Sequence, residues 1–157
     1  MIILGIDPGS RRIGYGVIQI QKKEALFLEA GILRITEKGR RDALLEARDR
    51  FSELIDRFQP AILAIEKLYF VRNQKTGLEV AEARGVILGV AVGKGLEIKE
   101  YTPNEIKAGV TGYGFADKRA VAKMVKLILK RPDLNLIDDA TDALAVALIA
   151  GRTPPPS

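Results

Sequence analysis

Asp7 closes the apolar run that begins at Met1 and is followed at once by the turn Pro8-Gly9-Ser10. Glu66 closes a second short apolar run, Ala61–Ile65 (AILAI). A carboxylate at the end of a buried strand is costly unless something cationic sits beside it: a metal, an Arg or a helix N-terminus. Read singly, Asp7 also suits a turn or capping aspartate, and Glu66 an ordinary surface glutamate at a strand end. Asp139 and Asp142 stand three apart in a helical stretch, which points them to neighbouring positions on one face. Read singly, that pair also complements a helix dipole in its first turn. Four acids at one spot would repel strongly unless a divalent cation neutralised them. The chain has no histidine and no cysteine, and all-oxygen ligation suits Mg²⁺, with Mn²⁺ as a substitute. Such a site holds one metal, or two roughly 4 Å apart. Of two, one would activate a water and the other would stabilise the leaving oxygen of an in-line phosphodiester displacement. That scheme needs no histidine.

Two further groups have types suited to nucleic acid. Tyr69 and Phe70 follow Glu66 in a segment ending Arg72-Asn73-Gln74-Lys75. Base–aromatic stacking is typically worth ~1–3 kcal/mol per base, and Asn and Gln side chains can read base edges. Core packing is the other reading for one of the two aromatics. Arg119, Lys123, Lys126 and Lys130 form a basic stripe at helical spacing, either a solvated face or a line of phosphate contacts.

The elements that must position these groups follow from pattern. Met1–Ile6 reads as a strand buried on both faces and central in a sheet. Ile13–Ile20 (IGYGVIQI) alternates like a strand, Lys22-Lys23-Glu24 make a polar turn, and Ala25–Ile35 resumes a strand-like run. Three such strands in succession predict an antiparallel meander. Leu44, Leu45, Phe51, Leu54, Ile55 and Phe58 recur at helical spacing until Gln59-Pro60 stops them. Ala61–Ile65 is the next strand, Gln74–Lys94 a long helix and Leu96–Tyr101 a short strand. In that helix Ala81, Gly85, Gly89 and Gly93 form a smooth stripe, which serves either tight packing on its own sheet or a two-fold contact between copies. Thr102-Pro103-Asn104-Glu105 carries a cap, Pro at the first helical position and Glu at the third, a clear helix start. The loop Gly109–Gly114 follows. Asp117 can cap a helix carrying Val121, Met124, Val125, Ile128 and Leu129, which Pro132 ends. Asp138 or Asp139 opens an Ala-rich last helix to about Ala150, with Asp138 the expected cap. Hairpins first and βα crossovers after predict a mixed α/β fold in a single domain over 1–152, with 153–157 a disordered tail.

Composition narrows the classes. The chain has 157 residues, 25 basic against 20 acidic side chains and a formal charge of +5, which admits a polyanionic partner. The absence of cysteine excludes disulfides and thiolate metal sites. No apolar run approaches the ~18 residues that span a bilayer, and the N-terminus lacks a secretory pattern. No membrane association and a cytoplasmic location are expected.

The segments ILGIDPGS, GYGVI, AIEKLYFVRN, EARGV, GYGFADK and DDATDALAVA, in that order over about residues 1–150, resemble the RuvC family of Holliday-junction resolvases. The resemblance implies a ribonuclease-H-like mixed sheet, an antiparallel meander plus parallel strands, flanked by helices on both faces. It implies an endonuclease that resolves four-way DNA junctions with Asp7, Glu66, Asp139 and Asp142 as catalytic and metal-binding acids. It places Lys118 near the active site and Lys107 at a second basic position, where a cation could bind the scissile phosphate. It gives Tyr69 the aromatic position that engages junction bases; Phe70, Arg72, Asn73, Gln74, Lys75, Lys118 and Arg119 are the further candidate DNA-contacting residues. It implies a homodimer, since a four-way junction is two-fold symmetric, and cooperation with RuvA and RuvB. The chain departs from the family pattern at Ala120, where glutamine is usual, and at Phe115, where smaller or polar residues are usual. Two rivals fit parts of the pattern: a ribonuclease-H-like nuclease acting on RNA or RNA–DNA hybrid, and an ATP-binding protein of the actin and sugar-kinase kind. In the latter an Asp-x-Gly turn after a first strand approaches phosphate with its backbone N–H groups.

Overall fold

The computed structural model describes residues 1–68 and 74–152, with Gln74 and Lys75 as backbone only. The elements follow in the order β1 (Ile2–Asp7), β2 (Arg12–Gln21), β3 (Glu24–Arg34), α1 (Arg40–Phe58), β4 (Ile62–Glu66), α2 (Gln74–Gly93), β5 (Glu97–Tyr101), α3 (Pro103–Thr111), α4 (Lys118–Ile128) and α5 (Asp138–Arg152). One sheet has the strand order β3-β2-β1-β4-β5. The meander β1–β2–β3 is antiparallel, and β4 and β5 are added parallel to β1. β1 is therefore the central strand, as its uninterrupted apolar run requires.

Alternation along β1 sorts the core into two layers. Leu4 and Ile6 join Val17, Leu63 and Ile65 beneath α1 and α2, around a fully buried Phe51. Ile3 joins Ile18, Ile62 and Ala64 beneath α3, α4 and α5. Helices thus cover both faces. The β2–β3 hairpin turns at Lys22 and Lys23, both with positive φ.

The caps of α3 and α4 fall where the sequence puts them. Thr102 and Glu105 form a complete capping box with Pro103 in the first turn of α3. Asp117 Oδ1 accepts from the Ala120 amide at 2.8 Å to start α4. Three details differ from the sequence reading. The expected loop Gly109–Gly114 starts later, since Gly109, Val110 and Thr111 form the last turn of α3. α4 ends at Ile128, short of Pro132, because Lys130 turns left-handed with φ 55°. α5 begins with Asp138 as its first helical residue, and the carbonyl of Ile137 accepts from Ala140 and Thr141, so Asp138 is not the cap.

Candidate active site

β1 and β4 run side by side in parallel, with Ile6 opposite Ile65, so Asp7 and Glu66 end adjacent strands at the same edge. Alternation turns both acids toward the face covered by α5. That helix lies unusually close to the sheet, and three strand glycines allow it. A Cβ on Gly5 would sit 2.0 Å from the carbonyl oxygen of Ala143. One on Gly14 would sit 2.2 Å from the carbonyl oxygen of Asp139, and one on Gly16 2.7 Å from the Leu144 side chain. The helix answers with Ala140, Ala143 and Ala147, all buried. Gly14 is also the β2 partner of Asp7, so the close approach occurs beside the acid itself.

This seating brings a carboxylate oxygen of Asp7, Asp139 and Asp142 within 4.8 Å of one another. Glu66 stands outside that triplet but lines the same cleft of about 300 Å³, together with Asp7, Asp142, Lys107 and Lys118. Asp138 is exposed and outside the triplet. Burial, then the charges of Asp142, Asp139 and Glu66, push the Asp7 carboxyl up from 3.8 to about 7, against the opposing charge of Lys118. Burial and the Asp142 charge push Glu66 up, opposed by Lys107 and Lys118. Burial raises Asp142 as well, opposed chiefly by Lys118 and reinforced by Asp139 and Asp138. The two lysines are thus distinct: Lys118 acts on all three of these acids and Lys107 on Glu66. Lys118 gets there as the first residue of α4, fixed by the Asp117 cap. Lys107 rides on α3, whose Ile106 and Val110 are buried.

The remaining predicted groups divide. Arg119 is exposed on α4, and with Lys123 and Lys126 forms no ion pair among the described residues, whereas Lys130 meets Glu24 at 3.2 Å. Gln74 and Lys75 open α2. Tyr69, Phe70, Arg72 and Asn73 lie outside the described residues.

Two arginines at the site escaped the sequence reading. Arg12 Nε lies 3.6 Å from Asp139 Oδ2, so the acid cluster already has one cation at its rim. Its position two residues after the Pro-Gly-Ser turn was the available signal. Arg84 on α2 donates from Nη2 to the Glu66 backbone carbonyl at 3.3 Å and to Glu100 at 2.9 Å, tying the ends of β4 and β5 together. Its Nε is buried without a partner. Arg84→Met should lose a charged hydrogen bond at the strand end and cost about 1–3 kcal/mol, read as a lower urea midpoint.

A mixed sheet of this order, with acids converging from its first strand, its fourth and its last helix, defines a ribonuclease-H-like protein with a candidate metal centre. A family model described as "Crossover junction endodeoxyribonuclease RuvC" matches residues 3–150, and the chain belongs to that family. A crossover junction endodeoxyribonuclease RuvC from Natranaerobius thermophilus is 43% identical over 149 residues, 94% of this chain and 92% of that protein. The Thermus thermophilus RuvC structure superposes with a TM-score of 0.87 at 30% identity, covering 95% of this chain and 92% of that one. The Thermus protein in complex with a Holliday junction substrate gives 0.85 at 27% identity, with the same coverage. No helix among the described residues is long and apolar enough to cross a membrane.

Proposed function

We propose that this protein is a Mg²⁺-dependent, homodimeric endonuclease that resolves four-way DNA junctions by symmetric nicks in recombination and repair. The observation that carries the reading is the Asp7–Asp139–Asp142 triplet at the end of the central strand, in a member of the RuvC family. The donor set fits a hard divalent cation: it is all carboxylate, and the burial and mutual repulsion that together raise Asp7 are what such a cation offsets. Asp7, Asp139, Asp142 and Glu66 would hold one or two ions, Mg²⁺ or Mn²⁺. Bound there, the metal supplies Lewis acidity at the phosphate and activates a water. Lys118, facing three of the acids, would hold a scissile phosphate oxygen against them, with Lys107 on the Glu66 side. Tyr69 would engage junction bases, flanked by Phe70, Arg72, Asn73, Gln74 and Lys75. Arg119 and the free cations of α4 would meet backbone phosphates.

The dimer rests on α2. Its inward stripe is Ala83, Ile87 and Ala91, whereas a Cβ at Gly85, Gly89 or Gly93 would meet nothing within 4 Å. The glycine stripe therefore does not pack on its own sheet. Leu78, Gly85, Gly89 and Val92 share that exposed face at helical spacing, an apolar strip suited to a second copy. Partnership with RuvA and RuvB and action in the cytoplasm complete the proposal.

The test is a labelled synthetic four-way junction in Mg²⁺, beside linear duplex and RNA–DNA hybrid. Paired nicks confined to the junction are expected. Cutting of the hybrid alone overturns the proposal in favour of the ribonuclease reading.

A further inference from the structure

Between α3 and α4 the chain displays two aromatic rings that the proposed catalysis leaves unused. Phe115 is 78% exposed and Tyr113 61% exposed, and their rings meet edge to face with centroids 5.8 Å apart. Exposed rings so placed are normally tucked away, and the loop here is built to hold them out. Gly112 ends α3 with φ +84°. Thr111 Oγ1 accepts from the Tyr113 amide at 3.1 Å, and the same hydroxyl lies 2.7 Å from the Lys107 carbonyl. The Ala116 amide closes a turn onto the Tyr113 carbonyl at 3.1 Å, with Gly114 and Phe115 at its tip. Ala116 is buried, and Asp117 is committed to capping α4.

The loop's place in the chain sets it between two cleft lysines. It joins the helix of Lys107 to the helix of Lys118, and both lysines line the acid cleft. Arg119 follows directly, and no acid besides the capping Asp117 lies in the segment 106–119. A π surface beside cations suits a nucleotide, which brings a flat base and a phosphate together. An acidic peptide would use the cations and leave the rings bare. We propose that Tyr113 and Phe115 form a stacking platform for an unstacked nucleobase next to the cleaved phosphate, with Phe115 as its outer face. This rests on the junction-nuclease reading and adds to it a base contact separate from the Tyr69 segment.

The experiment uses the full chain and junctions carrying 2-aminopurine on either side of the cut phosphate. Binding is followed by base fluorescence in Ca²⁺ and cutting in Mg²⁺, for native protein, Phe115→Ala, Phe115→Leu and Phe115→Trp. Alanine should weaken junction binding about 5- to 150-fold and abolish the fluorescence change. Leucine should do likewise, because it keeps apolar area without a π face, and tryptophan should restore both signals. Native affinity and native fluorescence in Phe115→Ala overturn the inference, as does full function in Phe115→Leu. A loss that appears in sedimentation as weaker self-association, with the fluorescence change intact, assigns the rings to a protein contact and also overturns it. If native protein cuts the junction and Phe115→Ala equals it, only this inference falls. If native protein neither binds nor cuts, the nuclease reading falls with it.

Discussion

Asp7→Asn is expected to stop junction cutting by about 10³-fold or more while leaving junction binding within a few-fold, because it removes one ligand from the acid cluster and no DNA-facing cation. The same substitution should make the metal-free protein more stable. Folded Asp7 keeps its proton to about pH 7, whereas the unfolded chain releases it near 3.8. Between those values the folded state binds more protons, so stability falls as pH rises through that window. The displacement of the Asp7 carboxyl corresponds to on the order of 4 kcal/mol of unfavourable charging above pH 7. Asn removes it. Thermal melts in EDTA should therefore show Asp7→Asn above native at pH 8 and level with it at pH 3.5. Mg²⁺ should raise the native midpoint at pH 8 and have much less effect on the variant. A native protein that gains stability from pH 4 to pH 8 in EDTA would sink this account of the cluster.

Gly5→Ala should damage stability and catalysis together, from a position that carries no chemistry. The added methyl would lie 2.0 Å from the Ala143 carbonyl oxygen and 2.9 Å from the Ala147 Cβ. Backbone cannot yield as a flexible side chain does, so α5 must rise off the sheet. Overpacking of this kind costs typically ~1–3 kcal/mol. Asp139 and Asp142 move with the helix, and misplacement by about 1 Å is enough to lose ~10²-fold in rate. Gly39→Ala is the control, since a Cβ there meets nothing within 4 Å. Its nicking rate should match native. Nicking by Gly5→Ala at the native rate, with a native melting temperature, would mean that α5 is not seated as described.

Local chemistry was legible in the sequence, and tertiary approach was not. The capping box at Thr102, the Asp117 cap and the apolar runs ending in Asp7 and Glu66 are short-range patterns, and each lies where the pattern put it. The parallel pairing that sets Asp7 beside Glu66 follows from the crossover that a buried second strand demands. The role of Gly5 and Gly14 depends on a helix more than 120 residues away, which no local window contains. Arg84 and Arg12 look like any exposed arginine until their partners, Glu66 and Asp139, arrive from other elements. The α2 glycines illustrate the opposite limit: spacing revealed the stripe, and only the packing of Ala83, Ile87 and Ala91 showed which way it faces.

The acids are supplied by β1, β4 and α5, which lie far apart along the chain, and α5 brings two of them last. During synthesis the meander and the first crossover are made before residue 138 exists, so a nascent chain holds Asp7 and Glu66 without the groups that complete the cluster. On the proposed function, such a chain would have no means of cutting DNA, however well its sheet has formed. Docking of α5 against Gly5, Gly14 and Gly16 is a non-local step of the slow kind. Competence to cleave would therefore be coupled to the end of folding, and a ribosome-attached fragment lacking α5 would leave the chromosome uncut.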